Sequence, residues 1–233
     1  MPVQVFDRIN DINAPKLRSI DITKYFSEMK LTAEQKKERI ALAEDLEDAM
    51  LFFFSLVLLI NQFSYMQAIS TVDAKQQLRD RVYEVVSRHT EITAEMREFL
   101  DDFIEDVNDT TTEHLIVLLA LMGEPEPDSE KRESEEFYLS DDRARLLGEE
   151  EANTIFNAVD FAKAKRFGFK YKTWITMRDN RVRHTHERVD DKTIPIDELF
   201  FVGNSYFRYP RDMKFSPSMR EIVNCRCSIR YSK

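Results

Sequence analysis

The segment TWITMRDNRVRHTHER, residues 173–188, decides the fold of the C-terminal part of the chain. It continues the run YKTWIT, which starts at residue 171, and the aromatic and β-branched side chains of that run predict a strand. Asp179 then predicts a turn, because an Asx side chain bonds to its own backbone two residues further on. Two later runs of similar composition, FFVGNSYFRY at 200–209 and CRCSIRY at 225–231, predict further strands.

Helices dominate the sequence before these strands. Residues 32–35, Thr-Ala-Glu-Gln, have the form of a capping box. Apolar residues recur behind it at spacings of three and four, which is the helical period. Further helices are predicted over about 74–89, from Thr93, over HLIVLLALM up to Gly123, and from Ser140 to Gly168.

These elements predict an α+β protein with two domains. Residues 1–122 are expected to form an all-α helical domain. The run GEPEPDSEKRESEE begins at Gly123, and its polar, Pro-containing composition predicts an acidic linker over 123–139. Residues 140–233 are expected to form a small α+β domain.

Charge is distributed unevenly along the chain, whose net charge is −9. Residues 161–233 contain 17 Lys and Arg against 8 Asp and Glu, or +9, whereas residues 1–160 contain 17 against 35, or −18. The basic end is suited to nucleic acid or an acidic partner, and the acidic end would be repelled by DNA phosphates.

No membrane segment or disulfide framework is expected. The uncharged stretch 49–72 is apolar only as far as Ile60 and is then interrupted by polar residues, so a buried helix is favoured over a membrane span. The start MPVQVFDRIND lacks the pattern of a signal peptide. The only two cysteines lie two residues apart, which favours a reducing compartment.

Zinc is one candidate ligand of the C-terminal part. Thiolate and imidazole are suitable ligands, and the four candidates are His184, His186, Cys225 and Cys227. On an extended strand, however, the two thiols would lie about 6.6 Å apart along the chain, which is too far for one zinc unless the strand bends. A buried core face is the competing interpretation of the cysteines. We therefore expect no cofactor or metal, with zinc as the alternative.

Catalysis is a second candidate. Asp179, His186 and Asn224 are residue types that hold a metal and activate a water for phosphodiester cleavage. A Cys–His nucleophile pair is also conceivable, but no third orienting group is evident. Because no complete motif is present, we expect no enzymatic activity.

A structural role is the remaining alternative. Arg181 and Arg183 are then expected to pair with carboxylates such as Asp197 or Glu198, and His186 with a nearby backbone group. In this interpretation the residues fix the geometry of a loop.

Several motifs follow one another in order over residues 140–228. A helix with Arg143, Arg145, Glu149, Glu150 and Asn153 comes first, followed by the pattern D-x-R-x-R-x-x-H, an Ile-Pro-Ile-Asp segment and Tyr-Pro-x-Asp. In these motifs, residues 140–228 resemble the C-terminal domain of the phage Mu F-like minor head proteins, also called phage head morphogenesis proteins. The residues carried over from the family pattern are Trp174, Asp179, Arg181, Arg183, His186, Asn224, Cys225 and Cys227. His184 lies outside the pattern, and Asp191 stands where the family usually has Gly.

The resemblance implies a virion protein located inside the head, with the host cytoplasm as its site during assembly. It implies association with the portal and other head proteins, and a role in head morphogenesis and in DNA packaging or ejection. The domain is also thought to be distantly similar in fold to ADP-ribosyltransferases, so an enzyme or toxin-like effector using His186, Asn224 and the cysteines is the alternative. No ADP-ribosyltransferase catalytic set is found in the sequence.

Non-specific contact with double-stranded DNA is expected through the basic end of the chain. The alternative is an ordinary solvated basic face, or a protein acting as an adaptor through its helical half alone. The candidate DNA-binding residues are Lys163, Lys165, Arg166, Lys170, Lys172, Arg208, Arg211 and Lys214.

Overall fold

A computed structural model describes residues 22–62, 71–123 and 128–233. The start of the chain and part of the uncharged stretch 49–72 lie outside these residues. The α-helices come first along the described chain: α1 Ile22–Glu28, α2 Ala33–Gln62, α3 Thr71–His89, α4 Ala94–Met122, α5 Ser129–Phe137 and α6 Asp141–Arg166.

Helix α2 begins at the predicted capping box. The backbone N–H of Gln35 donates to the hydroxyl of Thr32 at 3.2 Å, and the backbone N–H of Thr32 donates to the amide oxygen of Gln35 at 3.1 Å. The apolar residues that recur behind this cap at helical spacing are buried, namely Leu42, Leu46, Met50, Phe53 and Val57. The periodicity therefore identified the core face of this helix correctly.

Helix α4 corrects the expectation of two separate helices after Thr93. It is one helix of 29 residues that ends at Gly123. No Gly or Pro interrupts it, and its buried face recurs through the middle of the helix at Val107, Thr111 and Leu115. The hydroxyl of Thr111 donates to the carbonyl of Val107 at 2.6 Å, so this polar residue is accommodated within the buried face.

Residues 129–137, within the predicted acidic linker, form helix α5. The side chain of Asp128 accepts hydrogen bonds from the backbone N–H groups of Glu130 and Lys131 and thus caps the helix. Helix α5 lies next to α4, where His114 is hydrogen-bonded to Glu135 at 2.5 Å. The boundaries of the two predicted domains stay a prediction, and residues 124–127 lie outside the described part.

Helices and short strands alternate in the C-terminal part, which confirms the α+β class. Strand β1 (Tyr171–Ile175) lies between β2 (Thr193–Pro195) and β5 (Ser228–Ser232) in an antiparallel sheet. Strands β3 (Phe200–Val202) and β4 (Ser205–Phe207) form a separate hairpin. The run 200–209 is therefore a hairpin and not one strand, since Gly203 turns the chain with φ of 60°. Two short helices lie between the strands along the chain, α7 His184–Glu187 after β1 and α8 Met219–Ile222 after β4.

Helix α6 packs closely along α2 and joins the two parts of the chain. Gly148 makes this approach possible, because a Cβ atom there would lie 2.6 Å from the carbonyl oxygen of Ala43. Phe156 and Ile155 of α6 belong to the same buried cluster as the apolar residues of α2, α3 and α4. The helical core is therefore completed by a helix that was predicted to belong to the second domain.

Arg39 of α2 lies at the centre of a buried polar network on α6. Its guanidinium bonds to Asp160 at 2.9 Å, and to the amide oxygens of Asn153 and Asn157 at 3.4 and 3.3 Å. The amide nitrogens of the two asparagines donate in turn to backbone carbonyls of the C-terminal part, those of Cys225 at 3.3 Å and Pro210 at 3.1 Å. Helix α6 thus links α2 to the segment that contains the cysteines through these hydrogen bonds.

Within the described residues, no helix has the length and apolar character that crossing a membrane requires.

Candidate functional site

The loop after β1 is organised by Asp179. Its carboxylate accepts the backbone N–H of Arg181 at 3.0 Å, as the predicted Asx turn requires. Its two oxygens also accept hydrogen bonds from Arg226 at 2.9 and 2.8 Å. Burial alone would raise the pKa of Asp179, but these hydrogen bonds and the nearby guanidinium groups lower it. Both oxygens of Asp179 thus hold the loop to Arg226.

Arg181 and Arg183 have partners other than the carboxylates predicted from the sequence. The guanidinium of Arg181 bonds to Glu28 of α1 at 2.9 Å, and that of Arg183 donates to the backbone carbonyl of Val223. Asp197 pairs instead with Lys165 at 2.7 Å. The expected partners were wrong because the loop contacts α1 and the 223–227 segment.

His186 is buried at 2% exposure and is held by a carboxylate. Its Nε2 lies 3.0 Å from an oxygen of Glu221, where a backbone group was predicted, and that oxygen also accepts the hydroxyl of Thr185 at 2.7 Å. The indole of Trp174 contacts the imidazole edge-on, with ring centroids 5.7 Å apart. Burial lowers the pKa of His186, but the hydrogen bond and charge of Cys225, together with the charge of Glu221, raise it overall.

The two cysteines converge on the other nitrogen of His186. Its Nδ1 lies 3.3 Å from Sγ of Cys227 and 3.7 Å from Sγ of Cys225. The convergence depends on Asn224, whose backbone is left-handed with φ of 56°, and on a turn in which the N–H of Cys225 donates to the carbonyl of Ile222 at 3.1 Å. Strand β5 starts only at Ser228, so the expectation that both cysteines lie on an extended strand was wrong.

The pKa values of the two thiols are shifted in opposite directions. A hydrogen bond from Cys227 lowers the pKa of Cys225 well below its usual value, and His186 acts in the same direction. The hydrogen bond to Cys225 and burial raise the pKa of Cys227. The site is therefore a buried cluster of one imidazole and two sulfurs.

Of the four zinc ligands proposed from the sequence, His184 does not belong to the cluster. His184 is exposed, with 75% of its side chain accessible, and pairs with Glu187 at 3.2 Å. Among the described residues, the group with three metal-binding side chains in reach of one another is His186, Cys225 and Cys227.

Comparison with protein families identifies the relatives of this chain. The family described as Phage Mu protein F like protein matches residues 106–230, more than half of the 233 residues. The chain belongs to this family. No curated protein and no solved structure matches the chain.

Membership of the Mu F-like family confirms the resemblance of residues 140–228 and indicates a protein of bacteriophage head morphogenesis. The matched segment begins within α4 and includes α5 and α6. It therefore covers the cysteine–histidine cluster and the helix that joins it to α2.

Asp191 departs from the glycine that the Mu F-like pattern usually has. Its backbone is left-handed, with φ of 57°, a conformation that glycine adopts without strain and that Asp tolerates better than most residues. Its N–H donates to the carbonyl of Trp174 at 2.8 Å, and its carboxylate pairs with Arg178. An ion pair thus spans this turn.

The candidate DNA-binding residues fall into two groups. Lys172 is fully buried against the rings of Phe161 and Phe200, and burial lowers its pKa to about 8. Arg211 is buried and donates hydrogen bonds to the hydroxyl of Thr154 and the carbonyl of Ile222. Arg208 forms ion pairs with Asp212 and Glu95. These three cannot reach a phosphate in this arrangement. The exposed members are Lys163, Lys165, Arg166, Lys170 and Lys214.

Sequence reasoning missed several residues that position the site. Glu221 holds His186, and Glu150 of α6 accepts the backbone N–H of Asn224 and the guanidinium of Arg211. Glu28 of α1 pairs with Arg181. Each partner lies tens of residues away in sequence, so no local pattern identifies it. Glu150 alone had a signal, since it belongs to the family pattern.

Proposed function

We propose that this chain is a portal-associated minor head protein that acts in head morphogenesis and in DNA packaging or ejection. Its membership of the Mu F-like family carries this proposal. The protein would lie inside the head of the virion, and in the host cytoplasm during assembly. The portal protein, other head proteins and packaged double-stranded DNA are its proposed partners.

Exposed cations near the end of α6 support the proposed DNA contact. Lys163, Lys165 and Arg166 lie in the last turn of the helix, and Lys170 follows just before β1. Among the described residues, no carboxylate is found paired with Arg166 or Lys170. Cations there also stabilise the negative end of the helix dipole. The two roles are compatible, because the helix C-terminus is exposed to solvent.

The DNA contact predicts salt-dependent binding without sequence preference. The full chain should bind linear double-stranded DNA at 50 mM salt, and four phosphate contacts imply roughly a 100-fold loss of affinity at 200 mM salt. The variant in which Lys163, Lys165, Arg166 and Lys170 are all changed to Gln should bind weakly, with a much smaller salt slope. Fluorescence anisotropy with DNA of two unrelated sequences measures both quantities.

A matched control removes four exposed cations from the helical part. The changes Lys37→Gln, Arg79→Gln, Arg81→Gln and Arg88→Gln alter the net charge equally, but in α2 and α3. This variant should bind DNA with the same salt slope as the unchanged chain. Equal loss in both variants would mean that total charge, and not the end of α6, governs binding.

Association with the portal is tested separately. The acidic part of the chain, with a net charge of −18 over residues 1–160, is the proposed contact. Co-expression of the full chain with the portal protein encoded by the same phage genome should give a complex that elutes together in size-exclusion chromatography. Separate elution at micromolar concentrations, with both proteins folded, would contradict the proposed partner.

A non-catalytic role is part of the proposal. The imidazole of His186 and the thiols of Cys225 and Cys227 are buried, so a substrate would have to displace the loop to reach them. Asp179 is bonded to Arg226, as described above. These observations favour a structural use of the cluster over an enzyme or toxin-like effector.

A further inference from the structure

The three donor atoms of the cysteine–histidine cluster are arranged almost as a metal ion would require. The distances from Nδ1 of His186 to the two sulfurs are 3.3 and 3.7 Å, and all three atoms lie within 4.8 Å of one another. In tetrahedral zinc sites, bonds of about 2.3 Å to sulfur and about 2.0 Å to nitrogen place N and S about 3.5 Å apart. The two measured distances lie on either side of that value.

The hydrogen bonds of His186 also leave Nδ1, the nitrogen that faces the two sulfurs, available to bind a metal ion. A neutral imidazole has one N–H and one lone pair. Because Nε2 faces the carboxylate of Glu221 at 3.0 Å, the N–H is placed there and the lone pair of Nδ1 points to the sulfurs. A carboxylate that orients the outer nitrogen is the usual support of a metal-binding histidine. The hydroxyl of Thr185 fixes the same carboxylate at 2.7 Å.

Space for a fourth ligand adjoins the cluster. A cavity of about 10 Å³ is lined by the three donor residues together with Met177, Arg183 and other residues of the loop. A volume of about 10–15 Å³ is the minimum that holds one water molecule. A water in this cavity would complete four-coordination, as in zinc sites with three protein ligands.

We propose that His186, Cys225 and Cys227 bind one zinc ion, with water as the fourth ligand. Zinc binding replaces the two thiol protons, and two thiolates neutralise the charge of the ion, which suits a buried position. The ion holds residues 224–227 against α7. It thereby stabilises a region whose strands β2, β3 and β4 have only three residues each. The proposal does not depend on the head function proposed above.

Metal content of the purified full chain tests the proposal directly. The chain should be free of any polyhistidine tag, reconstituted with zinc under reducing conditions and then desalted. We expect about one zinc per chain by mass spectrometry, falling to less than about a tenth in Cys225→Ser, Cys227→Ser and His186→Ala. His184→Ala is the matched control, because His184 is exposed two residues away and lies outside the cluster. It should retain the full metal content.

Cobalt substitution tests the unchanged chain and so does not depend on the folding of any variant. Cobalt bound by Cys225 and Cys227 should show a thiolate charge-transfer band in the near ultraviolet and the intense visible bands of tetrahedral cobalt. Chelation of zinc should lower the melting temperature by about 5–10 °C, and should have no effect on the Cys225→Ser/Cys227→Ser double variant.

Two outcomes would overturn the zinc site. The first is a reconstituted full chain that retains less than about a tenth of an equivalent of zinc and shows no thiolate band with cobalt. The second is a His186→Ala variant that retains as much zinc as His184→Ala, which would place the ion elsewhere on the chain.

Discussion

Trp174→Ala should lower the free energy of unfolding by about 3–5 kcal/mol, the largest loss expected from one substitution in the C-terminal part. Trp174 is 1% exposed on the central strand β1. Its indole makes edge contacts with Phe200, Phe207 and His186, at centroid distances of 5.2, 6.1 and 5.7 Å. Removing it leaves a cavity that no neighbouring side chain can fill. Chemical denaturation followed by circular dichroism measures the loss, because the variant has no tryptophan for fluorescence.

Phe167→Ala is the control for loss of an aromatic ring. Phe167 follows α6 and is 59% exposed, so its removal should change the stability by less than about 0.5 kcal/mol. Trp174→Phe should retain part of the packing and lie between the two. A loss below about 1 kcal/mol for Trp174→Ala would show that the small buried cluster around β1 contributes little to stability.

Asp160→Ala should lower the free energy of unfolding by about 3 kcal/mol, since it leaves the guanidinium of Arg39 buried without its carboxylate partner. The side chain of Arg39 is fully buried, and its bond to Asp160 is 2.9 Å long. The amides of Asn153 and Asn157 are neutral and cannot replace the lost charge. Denaturation at neutral pH measures the effect, and lowering the salt concentration should change it little because the pair is shielded from solvent.

Glu38→Ala provides the comparison between the same two helices. Glu38 of α2 faces Lys163 of α6 at 3.9 Å, and both side chains are exposed by a third or more. Such a surface pair contributes less than about 1 kcal/mol. If Asp160→Ala and Glu38→Ala lower the free energy of unfolding by the same amount, burial does not explain the contribution of the Arg39–Asp160 pair to stability.

Local signals predicted the helices well and the site poorly. The capping box at Thr32 and the periodic apolar residues behind it located α2, because both act within a few residues of sequence. The partners of Arg181, Arg183 and His186 were missed, since each is set by packing between segments far apart in the chain. No local pattern encodes such pairs.

The convergence of the thiols had a partial signal in the sequence. Asn224 precedes Cys225, and asparagine adopts the left-handed conformation more readily than most residues. An extended strand was nevertheless predicted, because the alternation of Cys225, Cys227 and Ile229 matches the strand period. Both cysteines are buried in one core cluster against which Ile229 packs, as the core-face interpretation predicts. The strand itself starts only at Ser228, and the preceding bend brings both sulfurs to one imidazole.

Few substitutions should be tolerated at Asn153 and Asn157 of α6, because each side chain must both accept and donate a hydrogen bond. Each stands between a guanidinium that can only donate and a backbone carbonyl that can only accept. Aspartate would lose the donor, leucine would leave both neighbours unsatisfied, and glutamine would add a methylene to a closely packed contact. Nothing in the sequence singles out Asn157, yet its mutational tolerance should be as low as that of Asn153, which lies in the family pattern.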